Sequence, residues 1–330
     1  MSGAFAGTLG MMHRYAFVFP GQGSQSVGMG RALAAASAAA AAVFAEADSA
    51  LDAPITPRAW DGPAEDLDRT ENAQPALLAT SIAYLVALRD RWADAGLEPP
   101  AFAAGHSMGQ YSAFVAAGVI SVADGMRLVR ERGRLMQASG QGRDGAMAAV
   151  IGLDDARLPE LVERSAAHGI FGVANRNAPG QVVVSGERAA IEVSAEIGKE
   201  LGARKVIVLP VSVAAHSPLM AEAADGMRAV LQNVRFHDPG IPLLANADGR
   251  EIRTADEARN ELVEHLTRGV DWVGAVQRMT TAGVTTFVEV GPGRVLTGLI
   301  KRIAPDAEAV ALDDGASGEL NVPFATPSPV

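Results

Sequence analysis

The stretch Ala101-Phe102-Ala103-Ala104-Gly105-His106-Ser107-Met108-Gly109-Gln110-Tyr111 decides the fold. Ala101–Ala104 is a short apolar run that reads as a buried strand. It runs into Gly105-His106-Ser107-Met108-Gly109, a match to G-x-S-x-G, and Tyr111–Ala117 follows as a helix. A strand, a tight turn and a helix in that order form the context a nucleophile elbow needs. The glycines permit a strained turn that lifts the serine hydroxyl out of the sheet. The helix N-terminus adds free N–H groups and a positive dipole end for an oxyanion.

Outward from the elbow, Tyr15–Phe19 reads as the first strand, ending at Pro20-Gly21, and Thr286–Val290 as a late one before Gly291-Pro292-Gly293. The alanine-rich stretch Ala32–Ala45, Pro75–Ala93 and Val122–Gln137 read as helices, alanine being the best helix former. Strands alternating with helices predict a parallel sheet covered on both faces. Residues 145–209 have another rhythm: strand Ala146–Leu153, helix Ala156–His168, strands Ile170–Asn175 and Gln181–Ser185, helix Ala189–Leu201 and strand Lys205–Leu209. That β-α-β-β-α-β order is the ferredoxin-like pattern. The expected division is therefore a large α/β part, 1–139 with 212–330, and a small inserted ferredoxin-like subdomain, 140–211. Residues 1–14 are expected to be a loose extension and 313–330 a flexible tail.

The composition narrows the chemistry. The chain has 330 residues, 48% of them hydrophobic, enough for a large core. It has no cysteine, which excludes disulfides, thiolate nucleophiles and Cys-ligated metals and fits a reducing cytoplasm. Lys and Arg total 28 against 38 Asp and Glu, a formal net charge of −10, which argues against nucleic acid as a partner. No apolar run reaches the length of about 18–20 residues that a bilayer needs, so no membrane role is expected. Met1–Arg14 lacks the early positive charge and continuous apolar core of a signal peptide.

A serine nucleophile needs a base. Of the six histidines, His216 stands out, because it follows an apolar run, Val206–Val213, and precedes Ser217-Pro218, an N-cap and first-turn pair. His106 adjoins the serine, but neighbouring side chains at a sharp turn point apart, so it reads as a supporting group. The spacings His-x-x-x-His and His-Glu-x-x-His are absent, so no metal site is expected. Arg132 lies three residues from Val129 and from Leu135, on the apolar face of its helix. An inward arginine is costly unless paired. It serves either a buried carboxylate of the protein or a carboxylate on the substrate. The loop Pro20-Gly21-Gln22-Gly23-Ser24-Gln25 only partly resembles a dinucleotide fingerprint and could instead complete an oxyanion hole.

Taken together, Phe17–Gln25, Gly105–Gly109, Arg132-Gly133, Val211-Ser212-Val213-Ala214-Ala215-His216 and Val290–Gly293 resemble, in order, the motifs of the malonyl-CoA:acyl-carrier-protein transacylases, over residues 14 to 303. The resemblance implies a hydrolase-like large subdomain and ping-pong transfer of a malonyl group from coenzyme A, through Ser107, to the phosphopantetheine thiol of an acyl carrier protein. It implies Ser107 as nucleophile, His216 as base, Arg132 on the malonyl carboxylate, and the N–H groups of Gln22 and Met108 as the oxyanion hole. A backbone carbonyl would orient the base. That position is usually Gln in the family and is His265 here. Asn175, Asn177, His106 and Ala215 would line the cleft. Gln110 stands where Glu is more usual and reads as neutral. No cofactor is implied, and the expected form is a cytoplasmic monomer. An acidic carrier would meet a local basic rim, for which Arg204-Lys205 and Lys301-Arg302 are candidates. A polyketide acyltransferase with another extender unit and a hydrolase acting on acyl carrier protein are the alternatives.

Overall fold

The computed structural model describes residues 13–140, 144–211, 213–313 and 319–324. Most of the extension expected over 1–14, most of the tail expected over 313–330, and Ser212 of the histidine motif lie outside the described residues.

Strands are numbered along the chain: β1 Tyr15–Phe19, β2 Phe102–Gly105, β3 Gly145–Ile151, β4 Phe171–Ala178, β5 Gln181–Glu187, β6 Lys205–Val208, β7 Leu243–Leu244, β8 Glu251–Ile252, β9 Val270–Asp271, β10 Thr286–Glu289 and β11 Glu308–Ala311. They form two sheets. The larger has the order β11-β10-β1-β2-β7-β8 and is parallel except for the β7–β8 pair at one edge.

β1 shows why this sheet is covered on both faces. Side chains alternate across a strand, so Tyr15, Phe17 and Phe19 join one apolar layer with helices Thr70–Asp94 and Val122–Gly140. Ala16 and Val18 join the opposite layer with helices Trp272–Thr281 and Val295–Ile303. Trp92 seals the first layer, with its ring 4.8 Å edge-on to both Tyr15 and Phe17.

The smaller sheet has the order β6-β3-β5-β4-β9. Its first four strands are mutually antiparallel and have ferredoxin-like topology. Ala146, Ala148 and Val150 face helices Leu158–Ala166 and Arg188–Glu200 through Leu161, Ile191 and Ile197. The alternate positions Met147 and Val183 face a cleft instead. The fifth strand, β9, comes from the later chain and adds in parallel to β4.

Two expectations are corrected in detail. The alanine-rich stretch is two helices, Arg31–Ala36 and Ala38–Ala50, because Ser37 is extended and its side chain accepts from Ala40 N–H as an N-cap. The expected helix Ala156–His168 begins with a 3₁₀ turn, Asp155–Arg157, capped by Asp154. The short strands β7, β8, β9 and the edge strand β11 are additions to the sequence reading. At the other end of the sheet, the buried Glu289 closes β10 and accepts from the N–H groups of Leu296 and Thr297, holding the start of helix Val295–Ile303.

Candidate active site

The cleft between the two sheets encloses about 750 Å³, within the usual range for a small-molecule site. Ser107 stands at the end of β2, at the turn into helix Gly109–Ala116. The turn leaves no room for side chains at its glycines. A Cβ on Gly105 would lie 2.0 Å from the Gly109 carbonyl carbon, and one on Gly109 would lie 2.2 Å from Phe19 O. Ser107 itself has φ 52°, and His216 has φ 59°; these are the only non-glycine residues with positive φ among the described residues. Strain of this kind collects at functional sites, and here the two strained residues meet.

His216 Nε2 is 2.8 Å from Ser107 Oγ. Nδ1 donates to the carbonyl of His265 at 2.6 Å, with the Arg268 carbonyl at 3.2 Å. Carbonyls can only accept, so Nδ1 carries the proton and Nε2 is left with its lone pair toward the hydroxyl. Ser217, next in the chain, accepts from Leu219 N–H and donates to Ala214 O, which fixes the turn Pro218–Met220 behind the histidine. Burial, and secondly the Arg132 charge, push His216 down to about 3. The imidazole is therefore neutral at pH 7.

Arg132 is 1% exposed and has no ion pair among the described residues. Its Nη2 donates to Ser107 Oγ at 3.2 Å, and its guanidinium lies 5.9 Å from the centre of the Tyr111 ring. Burial lowers its pKa, and no carboxylate among the described residues offsets that cost. Of the two uses the sequence left open, a structural ion pair is absent among the described residues. Of its helix neighbours, Arg134 pairs with Glu131 in solvent, while Arg130 is half-buried and donates to Asn72 at 2.7 Å.

Gln22 and Met108 line the same cleft, and among the described residues neither N–H has an acceptor. His106 faces Asn177 Oδ1 at 2.9 Å and lies edge-on to Trp272 at 5.7 Å, with burial lowering its pKa. It does not reach Ser107 Oγ. Asn175, Asn177 and Ala215 also line the cleft. The His265 ring is buried beside His216 and Tyr111, and burial holds it well below the ordinary histidine range. Of the expected basic rim, the exposed Arg302 donates to Gln181 and to the Pro179 carbonyl.

Two residues with evident work, Asn246 and Glu261, escaped the sequence reading, as did the work of a third, Gln110. Asn246 accepts from Ser107 N–H at 2.8 Å. Glu261, fully buried, accepts from Asn246 N–H at 2.7 Å, and burial pushes it up to about 7. Gln110 is not neutral: its Nε2 donates to Leu244 O at 2.8 Å while Oε1 accepts from Gly105 N–H and Asn246 Nδ2. A glutamate there could not make the donation. For Gln110, an amide side chain one step past the elbow, in a mostly apolar helix, was the available signal.

Comparison with known proteins finds relatives along nearly the whole chain. The malonyl CoA-acyl carrier protein transacylase of Escherichia coli K12 is 44% identical over 303 residues, 92% of this chain and 97% of that protein. An acyl carrier protein S-malonyltransferase from Vibrio cholerae superposes with a TM-score of 0.87 at 42% identity, covering 92% of this chain and 98% of that one. A malonyl-transacylase solved in complex with a type II PKS acyl-carrier protein gives 0.87 at 41% identity, covering 92% and 97%. The acyl transferase domain family matches residues 16–312. That span runs from β1 through the elbow, the arginine and the histidine to β11. The chain belongs to the acyl transferase domain family and is an acyltransferase.

Proposed function

We propose that the protein transfers a malonyl group from malonyl-CoA to the phosphopantetheine thiol of an acyl carrier protein, through an ester on Ser107. The observation that carries this reading is Arg132, a buried guanidinium without an acidic partner among the described residues, 3.2 Å from Ser107 Oγ. A carboxylate on the acyl group satisfies it, with the bidentate geometry that arginine favours. A plain acyl hydrolase has no use for that cation.

The chemistry balances with this chain's own groups. His216 Nε2 takes the hydroxyl proton as Ser107 Oγ bonds to the thioester carbonyl carbon. The N–H groups of Gln22 and Met108 receive the oxyanion. The intermediate collapses, the C–S bond breaks, and the coenzyme A sulfur leaves with the proton from His216. In the second half the carrier thiol gives its proton to Nε2 and attacks the ester. Ser107 Oγ then leaves and recovers that proton. The His265 carbonyl orients the imidazole without adding a negative charge. Arg132 also couples binding to catalysis. Its charge weakens the base in the empty site, and a bound carboxylate offsets that charge.

Incubation with malonyl-, methylmalonyl- and acetyl-CoA, with and without holo acyl carrier protein, tests the reading. Mass spectrometry should find malonate on the Ser107 peptide and then on the carrier. Label that goes to water at the same rate with or without carrier would favour the hydrolase. Preferential methylmalonyl loading would favour a polyketide acyltransferase with another extender unit.

A further inference from the structure

The elbow is held from outside by one side chain that comes from a turn far along the chain. Asn246 follows β7 and is buried. Its Oδ1 accepts from Ser107 N–H at 2.8 Å, and its Nδ2 donates to Gly105 O at 3.0 Å and to Gln110 Oε1 at 2.9 Å. The carboxamide thus grips the peptide groups on both sides of His106. Its orientation is unambiguous, because a flipped amide would set NH₂ against the Ser107 N–H and an oxygen against two acceptors.

Asn246 is itself fixed by its backbone. Its N–H donates to Glu261 Oε1 at 2.7 Å, and its carbonyl accepts from Asp271 N–H at 2.7 Å. Glu261 lies inside helix Ala255–Thr267, the helix whose His265 carbonyl accepts from His216 Nδ1. One helix, through its buried face, therefore sets both partners of the 2.8 Å contact between Ser107 and His216. It reaches the serine through Glu261 and Asn246, and the histidine through a carbonyl one turn later. The Ser107 N–H is consumed by Asn246, so it cannot serve an oxyanion, which leaves that work to Met108 and Gln22.

We propose that Asn246 is a positioning residue for the nucleophile: its carboxamide, anchored on Glu261 and Gln110, holds the Ser107 peptide in its left-handed conformation and so sets Oγ against His216 and aims the Met108 N–H into the cleft. The inference rests on Ser107 as nucleophile. It assigns to Asn246 no contact with substrate, so its loss should appear in the rate of acyl transfer and not in binding.

The experiment is single-turnover malonylation with purified full-length protein, read by rapid quench and mass spectrometry and normalised to the folded, acylatable fraction. In Asn246→Ala the rate constant for ester formation on Ser107 is expected to fall by roughly 10–100-fold, the scale of a misplacement near 1 Å, with the malonyl-CoA concentration for half-maximal rate changed less than about threefold. Phosphonylation by a small fluorophosphonate, which needs only a placed serine and its base, should fall in parallel. A residue that merely stabilises the fold would lower the folded fraction and leave both rate constants per folded site unchanged. That outcome overturns the proposal.

Should Asn246→Ala not fold, Glu261 supplies the second pair of variants. Glu261→Gln keeps an acceptor for Asn246 N–H and should retain the rate within about threefold, whereas Glu261→Leu removes it and should slow both reactions. Equal rates per folded site in Glu261→Gln and Glu261→Leu would also refute it. If wild-type protein forms no ester on Ser107 at all, the reading of Ser107 has failed, and that result is distinct from a wild-type ester with an unimpaired Asn246 variant.

Discussion

Replacing Arg132 with Met separates charge from bulk. Methionine fills much of the space of the arginine stem and removes the guanidinium. In the free protein the arginine is 1% exposed, unpaired by any described acid, and lowered in pKa by burial. Its removal therefore relieves a desolvation cost and should leave Tm unchanged or raised. In the malonyl complex two charge-assisted hydrogen bonds are lost. At ~1.5–3 kcal/mol each, and with water entering to solvate the carboxylate, the net loss is about 3–5 kcal/mol. This converts to roughly 10²–10⁴-fold in kcat/KM for malonyl-CoA. Acetyl-CoA has no carboxylate and should lose less than about threefold or gain. The assay is transfer from each radiolabelled thioester to holo acyl carrier protein, at substrate concentrations well below KM. A common factor for malonyl and acetyl transfer, together with a lowered Tm, would show Arg132 to be structural and refute the reasoning.

Ser107→Ala should abolish the acyl adduct, and His216→Ala should slow its formation by roughly 10²–10⁴-fold; an adduct forming at full rate in Ser107→Ala would end the mechanism. Because His216 is pushed down to about 3, kcat/KM should show no acid limb near the ordinary histidine value of about 6.5, and a limb there would contradict the buried, Arg132-facing geometry. Stability should respond to pH in opposite senses at two groups: the depressed His216 makes the unfolded state the better proton binder below about 6.5, so stability is lost as pH falls, whereas Glu261, raised from 4.5 to about 7, makes the folded state the better binder, so stability is lost as pH rises through that window. Glu261→Gln should remove the second slope in chemical denaturation series. Ala215→Phe should suppress methylmalonyl loading more than malonyl loading, by about 1–3 kcal/mol, and an unchanged ratio of kcat/KM would place the α-carbon elsewhere in the cleft.

The parts of the site legible in the sequence are those written locally. Ser107 was legible because its strand, glycines and helix are contiguous. His216 was legible because Ser217-Pro218 marks a turn, and Arg132 because a helical period places it among apolar residues. The β-α-β-β-α-β insert could be read because its four strands and two helices lie in one contiguous stretch, 145–208, with a clear alternation of periods. Asn246 could not. It sits in Asn246-Ala247-Asp248-Gly249, which reads as a solvent turn, and its decisive partner is 139 residues away. Glu261 in an acidic helix likewise reads as a solvated face. Two-residue strands such as β7 carry no period to detect. The Gln110 contacts depend on the Leu244 carbonyl, whose position only the assembled sheet defines.

The pairing of β1 with β10 has a consequence for how the chain reaches its active form. Tyr15 pairs with Thr286 and Phe17 with Val288, so the middle of the large sheet joins residues near opposite ends of the chain. Such contacts close long loops and form late, whereas the β3–β6 unit closes shorter loops within 145–208 and can form earlier. During synthesis the Ser107 turn emerges well before the residues that grip it, and the insert meets its fifth strand only when Val270–Asp271 arrives. An incomplete chain thus has the serine and lacks the frame that makes it reactive. Acquisition of activity is tied to the arrival of Asn246, Glu261 and His265, without which the Ser107 turn has neither its clamp nor an oriented base.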